Sequence, residues 1–567
     1  MEYLNFSEAN CQNCYKCIRT CKVKAIKITD QQATIIPELC VGCGECFSIC
    51  PQNAKSVKTD IDYVKELIKQ NKKIIVSLAP SFPSFDNLKS PLSFISGLRE
   101  LGFSEIEETS IGASLVSEKY KEEYYSEQQH IITSSCPTVN FLITKYYHEH
   151  VKYLSETLSP MMVHNKLIKN ENEGVYTVFI GPCISKKEET RVCTSKNSCI
   201  DAVITFDDIR NWLKEENIDL NTLEPSKFDK ESELLTKWYP LSGGVEKATI
   251  NEPSKDRRVI KIDGMQNCKE FLESLDDIKG KTWIEMNACK SGCINGYGNS
   301  LSDLSLNNKI ENVLNYIDNC KESEKSEKKC NVGIDFDYSI FVENKTKVYS
   351  DDEIREVLKR SGKYVKSDEL NCGACGYNTC KEKAVAVLNN MAEIEMCLPY
   401  MRMINEEMSS VIIENTPNGI IVATKDFEIV EFNPASVDMF MISKKNAIGQ
   451  HAKSVIGNNV FKKLENNSNH TIITKEAFND ISKIMIVSLK YIQNHDLYLA
   501  IFKDVTKEEM AKIRNKDTSI NALEMAQKVI DKQMIVAHEI ASLLGETTAE
   551  TKVTLSKLKK LFDEKNE

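Results

Sequence analysis

Thr133-Ser134-Ser135-Cys136-Pro137, Gly181-Pro182-Cys183-Ile184-Ser185-Lys186-Lys187 and Glu285-Met286-Asn287-Ala288-Cys289, which runs on to Gly292-Cys293-Ile294-Asn295-Gly296, carry four widely separated cysteines. Each segment begins where a strand-like apolar run stops. Lys73 to Leu78, Tyr176 to Ile180, Ala202 to Thr205 and Thr282 to Met286 read as buried strands, and Pro91 to Leu101 as a helix, so the centre of the chain predicts an α/β architecture. In such sheets functional groups collect in the loops at strand ends. Cys136, Cys183, Cys289 and Cys293 are therefore expected to converge in space.

Around this centre the 567 residues suggest roughly four domains. Lys and Arg total 73 against 83 Asp and Glu, a net charge of -10, so no basic surplus points to nucleic acid. Met1 to Ala9 lacks a basic segment followed by an apolar core, and no stretch has the ~20 apolar residues of a membrane span; a cytoplasmic protein is expected. Cysteine is the outlier: 21 residues without an export pattern argue for metal ligation under reducing conditions. Cys193, Cys199, Cys268, Cys320 and Cys330 are scattered without ligand spacing and are read as incidental thiols; the rest fall into patterned groups.

Cys11, Cys14, Cys17 and Cys21 are spaced C-x2-C-x2-C-x3-C, and Cys40, Cys43, Cys46 and Cys50 repeat the spacing with Pro51 following. In the bacterial ferredoxin arrangement the fourth cysteine of each run serves the other run's cluster, which pairs Cys11, Cys14 and Cys17 with Cys50, and Cys40, Cys43 and Cys46 with Cys21. Two 4Fe-4S clusters are expected, with zinc as the alternative. Further on, Cys372, Cys375 and Cys380 are spaced C-x2-C-x4-C and Cys397 follows a helical stretch; this resembles the small iron-sulfur domain of anaerobic electron-transfer proteins. Zinc is again the alternative.

The central motifs together resemble the active-site signature of FeFe-hydrogenases over roughly Asp60 to Asp318. The resemblance implies an H-cluster: a 4Fe-4S cubane on Cys136, Cys183, Cys289 and Cys293, joined through Cys293 to a two-iron subsite with CO and CN ligands. Ala79-Pro80-Ser81 and Lys186 would anchor the cyanides, and a hydroxyl and an ammonium suit that negative end. Departures from the family pattern matter as much. Gly181 and Asn287 stand where methionines usually pack, implying a roomier or more polar pocket. Ser135 replaces the proton-transfer cysteine, and a hydroxyl is a far poorer proton donor and acceptor than a thiol of pKa ~8.5. Ser155 aligns with the family's relay serine, and Tyr120 and Glu123 with its two acids.

After Cys397 there is no further cysteine. A helix over Met408 to Ile413, the strand Ile420 to Ala423, a turn and second strand with Asn433-Pro434-Ala435, and paired strands Ile484 to Tyr491 and Leu497 to Phe502 ending at Asp504-Val505-Thr506 together resemble a PAS sensor domain. Ile513, Ile520, Met534 and Ala541 alternate with Leu523, Ile530, Ala537 and Leu544 at heptad spacing, predicting a parallel dimeric coiled coil. Gly545-Glu546-Thr547-Thr548 is expected to turn the chain into a second helix, Ala549 to Phe562, giving a helical hairpin.

The expected organisation is a multidomain α/β and α+β chain. It has a ferredoxin-like dicluster domain (1–58), an FeFe-hydrogenase-like α/β domain (59–318), a linker (319–345), a 4Fe-4S domain (346–402), a PAS domain (403–508) and a coiled-coil hairpin (509–567). The resemblance implies a sensory member that binds or slowly oxidises H2, exchanges protons and signals as a homodimer to an unknown kinase- or phosphatase-type partner. The alternatives are a catalytic ferredoxin-dependent hydrogenase and a non-enzymatic iron-sulfur assembly-type protein.

Overall fold

The computed structural model describes residues 4–6, 10–193, 200–321, 333–341, 347–456 and 471–563. Cys199, Cys330, the side chain of Cys193 and most of the expected 319–345 linker lie outside them. Residues 1–401 form one compact unit and 402–567 a second. No described helix is long and apolar enough to cross a membrane.

At the start of the first unit, β1 (Leu4–Phe6), β2 (Ile26–Thr29), β3 (Gln32–Ile35) and β4 (Lys55–Val57) form two antiparallel pairs, β1 with β4 and β2 with β3. The short helices Lys16–Thr20 and Glu45–Ser48 each contain the third cysteine of a run and follow a left-handed residue, Tyr15 (φ 57°) or Gly44 (φ 83°), so the sequence duplication is also a structural one.

The centre contains two parallel sheets. β5 (Ile74–Leu78), β6 (Glu105–Glu108), β8 (Tyr176–Gly181) and β9 (Ala202–Thr205) form one in the order β6-β5-β8-β9; β7 (His130–Ile132), β10 (Arg257–Asp263) and β11 (Lys281–Asn287) form the other in the order β10-β11-β7. Helices cover them, so β5 is buried along its whole length, which is why it reads as an unbroken apolar run. The cysteine segments leave the carboxyl ends of β7, β8 and β11, and Ala79-Pro80-Ser81 leaves β5.

Part of the expected linker is instead packed structure. Phe336 donates its amide to the Glu156 carbonyl (2.6 Å), Leu158 donates to Ile334 (2.8 Å), and Tyr338 is buried against the centre. The alternating Ile334, Phe336 and Tyr338 supply an apolar edge that overrides the charge run before them. The third cysteine group follows the helix Asp351–Arg360, whose capping box pairs Ser350 with Glu353.

In the second unit, β12 (Gly419–Thr424), β13 (Ile429–Phe432), β14 (Ile472–Phe478), β15 (Lys483–Ile492) and β16 (Leu497–Asp504) form an antiparallel sheet in the order β13-β12-β16-β15-β14. Ile421, Phe432, Phe440, Val487 and Phe502 fill its core. The expected hairpin beyond it is corrected: one helix, Thr506–Asp563, passes through Gly545 without a break. A helical glycine costs only about 1 kcal/mol relative to alanine, and Thr547 and Thr548 return their hydroxyls to the carbonyls of Leu543 and Leu544, so the polar run satisfies itself within the helix.

Candidate functional site

Cys136 ends the β7 loop and caps the helix Pro137–Tyr146, Cys183 follows β8, and Cys289 and Cys293 follow β11. Loss of solvent around its sulfur, with Cys136 beside it, raises the Cys183 thiol to about 11. Cys293 is pushed up to about 12 by the same desolvation with Cys136 and Cys183 as neighbours, and Cys289 is raised by burial and by the other three. The four thiols therefore face one another. Four thiolates gathered from three strand ends are a donor set that fits a 4Fe-4S cubane.

Beside the thiols lies a cavity whose walls include Ser81, Ser135, Lys186, Asn287 and Cys293. The hydroxyls of Ser81 and Ser110, both on this cavity, are buried without a hydrogen-bond partner. A buried unpaired hydroxyl costs about 1–3 kcal/mol, so these two atoms fit a bound group carrying acceptors. Ala79 and Pro80 complete that wall. The Lys186 ammonium is held by Glu189 (2.8 Å), Ser159 Oγ (2.9 Å) and, more loosely, the Ser135 carbonyl (3.4 Å). Burial alone would lower its pKa, but Glu189 and Cys183 leave it raised, so it is a fixed positive charge beside the thiols. Glu189, three residues along the same helix, had no assigned role in the sequence; the i,i+3 spacing was the available signal.

The two methionine replacements behave differently. Asn287 lines the cavity and donates to Glu285 (3.2 Å), which puts an amide in that wall. Gly181 does not enlarge the cavity: a Cβ there would meet the Phe179 ring at 2.7 Å and Ala79 at 2.9 Å. Phe179 has taken the room the glycine leaves.

Ser135 Oγ bonds Tyr120 Oη (3.0 Å), which also bonds Ser134 Oγ (3.1 Å) and accepts the Ser134 amide (2.8 Å). Burial holds the Tyr120 phenol above its ordinary value. Separately, Ser155 donates to Glu123 (2.8 Å) and burial raises that carboxyl. Ser134 gives its own hydroxyl proton to the Thr157 carbonyl. The two groups meet at Thr157, whose hydroxyl accepts from Ser155 (3.0 Å) and donates to Glu123 (3.5 Å). The structure thus gathers the expected relay residues into two groups that share Thr157, but the Ser134 side ends on its carbonyl, which has no proton to pass on.

Cys11, Cys14, Cys17 and Cys50 line one depression. The Cys43 thiol, raised by burial, faces Cys21, Cys46 and Cys40. Cys372, Cys375, Cys380 and Cys397 line another depression with Lys363 and Lys383, and Lys363 donates to Cys397 Sγ (3.2 Å). These sites adjoin one another. Tyr297 lies near Cys289, Cys43 and Cys46, and Tyr377 near Cys375 and Cys21. The last contact is tight: Lys24 donates to the Gly376 carbonyl (2.6 Å) and Ile18 packs on Gly376.

Residues 72–297 match the family described as iron only hydrogenase large subunit, C-terminal domain. The central segment is FeFe-hydrogenase-like. Residues 33–56 match a 4Fe-4S binding domain and 368–399 an Fe-S cluster family, so the hydrogenase-like segment is flanked by iron-sulfur segments. The chain is 26% identical over 308 residues to iron hydrogenase 1 of Clostridium pasteurianum, covering 44% of this chain and 54% of that protein; it spans about half of that relative's length. It is 26% identical over 368 residues to the periplasmic [Fe] hydrogenase large subunit of Nitratidesulfovibrio vulgaris, covering 53% and 86%. The hydrogenase-like segment is also similar to the cytosolic Fe-S cluster assembly factor narfl of Danio rerio, 22% identical over 331 residues, covering 46% and 80%.

Proposed function

We propose that this chain is a sensory hydrogenase: it binds or slowly oxidises H2 at the cavity beside Cys293 and passes the redox change through iron-sulfur clusters to a PAS-like output. An H-cluster held by Cys136, Cys183, Cys289 and Cys293, with Ser81 and Lys186 toward its two-iron part, would supply hydrogen binding and two-electron chemistry. The observation that carries the slow, sensing reading is the Ser135-Tyr120-Ser134 hydroxyl group, which touches the cavity but ends on the Thr157 carbonyl, an acceptor with no proton to hand on to the neighbouring Thr157 hydroxyl and Glu123. Neither a serine hydroxyl nor a buried phenol gives up or takes a proton readily at neutral pH, so proton traffic on that side is throttled.

The third cysteine group, at Cys372 to Cys397, stands as the exit for electrons, and the strand order of the 402–567 unit, with the exposed apolar seam of Ile513, Ile520, Leu523 and Ile530, suits a PAS-like sensor with a dimerising helix. Signalling requires that reduced and oxidised chains bind a downstream protein with different affinity. Infrared spectra of a matured sample test the reading. Bands of iron-bound CO and CN that respond to H2, with turnover that rises about tenfold or more in Ser135→Cys, are expected; turnover that Ser135→Cys leaves unchanged removes the sensor argument. The likeness to an assembly factor favours a second reading, in which the cavity carries no two-iron group, and absence of the bands in the matured sample would select it.

A further inference from the structure

From the cavity a second polar chain leads to the surface. Thr109 lines the cavity. Its hydroxyl bonds Ser77 Oγ (2.7 Å), which bonds His164 Nδ1 (2.8 Å); His164 Nε2 meets Glu107 Oε2 (3.2 Å), and Lys230 Nζ lies 2.9 Å from the other Glu107 oxygen as an ion pair off the hydrogen-bond line. Thr109, Ser77, His164 and Glu107 are all buried, whereas the Lys230 side chain is 43% exposed and also pairs with Glu171 (2.8 Å). Ser77, Glu107 and His164 come from three elements, β5, β6 and the helix Pro160–Glu171, while Thr109 follows β6 and Lys230 lies in a distant loop, so no local propensity explains their alignment.

Resting on the hydrogenase reading above, we propose that Thr109, Ser77, His164, Glu107 and Lys230 form a proton path between the cavity and solvent, and that it carries the protons Ser135 does not. The Thr109 and Ser77 hydroxyls, as weak as that of Ser135, serve only as bridges that accept at oxygen while releasing their own proton. They lead to an imidazole and a carboxylate, each with two separate atoms for entry and exit, where the Ser135 group leads to a carbonyl. Outward, Thr109 takes a proton from the cavity and gives its own to Ser77; Ser77 passes one to His164 Nδ1, and Nε2 releases one to Glu107. Lys230 loses a proton to water and regains one from Glu107. One H+ leaves, no electron moves, and reversal resets the chain. Burial alone would raise the Glu107 carboxyl, but His164 and Lys230 hold it below its usual range, so it stands ready as an acceptor. His164 and Glu107 are placed by this geometry as positioning and relay residues; they touch no reacting atom.

Two measurements decide it. In the holoprotein, His164→Gln keeps the size and the hydrogen bonds but cannot relay. It is expected to lower H2 turnover about tenfold or more, and to change it less than about twofold when introduced into Ser135→Cys, where the thiol offers another route. Equal losses in both backgrounds, or none in the parent, overturn the path. Independently of turnover, the His164 ring N–H in 15N-histidine-labelled full-length protein, assigned by its loss in His164→Gln, should exchange with D2O faster than global unfolding allows, and about tenfold or more slowly in Lys230→Met. Exchange that follows global unfolding and ignores Lys230→Met overturns it. A parent with no hydrogen turnover and no CO or CN bands would sink the function proposed above, while the exchange measurement would still decide the path.

Discussion

Two side chains show how much of this site is set by solvent exclusion. Ser81 has a buried hydroxyl without a partner. If its purpose is to meet a bound group, Ser81→Ala should leave the cluster-free chain as stable, or more stable by up to about 1 kcal/mol, yet shift the cyanide stretching bands of the matured protein; a loss of stability with unmoved bands would make the hydroxyl structural. Glu285 accepts the amides of Gly243 (2.7 Å) and Glu246 (2.9 Å), and burial raises its carboxyl to about 7. Because the folded value lies above the ordinary 4.5, the folded state binds the proton more tightly. The stability this gives is complete below pH ~4.5 and is lost as pH rises through 7, by up to about 3 kcal/mol. Thermal unfolding followed across that range should show the decline in the parent and a flatter profile in Glu285→Gln. The sequence named Ser81 because its motif is local. It was silent on the role of Glu285, whose partners lie about forty positions away in the chain and meet it only in the fold.

Among the elements, the strands with continuous apolar runs were legible, while β6, reading Glu-Ile-Glu-Glu, was not. Glu107 and Glu108 are almost fully buried, the first against His164 and Lys230 and the second against Ser232, Lys237 and Tyr316. Hydropathy cannot see a strand whose charges are neutralised by distant partners. At the other extreme, Gly545 was overread as a turn because glycine and threonine together look like a break. The continuous helix Thr506–Asp563 predicts that Gly545→Ala stabilises the full chain by about 1 kcal/mol in thermal or chemical unfolding; a turn that needs the glycine's freedom would instead be destabilised by the same change.

At the scale of the whole molecule the decisive feature is how the cysteine groups of the first unit adjoin. Gly376 has φ +95°, and a Cβ there would meet Ile18 Cγ2 at 2.8 Å. Gly376→Val should therefore strain the backbone by about 1–2 kcal/mol and push the third group off the helix that carries Cys17. Stopped-flow reduction followed by electron paramagnetic resonance is expected to show the signal of the third cluster lagging the others in this variant; equally fast reduction would mean that electrons reach it by another contact. The cysteine groups, the parallel α/β centre and the antiparallel sheet of the second unit were legible in the sequence, because cysteine spacing and hydrophobic period are short-range properties written within a few turns or strands. Packing alone decided that Phe179 fills the room beside Gly181, that the hydroxyl group of Ser135 ends on the Thr157 carbonyl, and that Thr109 connects through His164 to Lys230. Each of these depends on side chains from separate elements meeting at hydrogen-bond or van der Waals distance, and that meeting is fixed by how the sheets and helices pack.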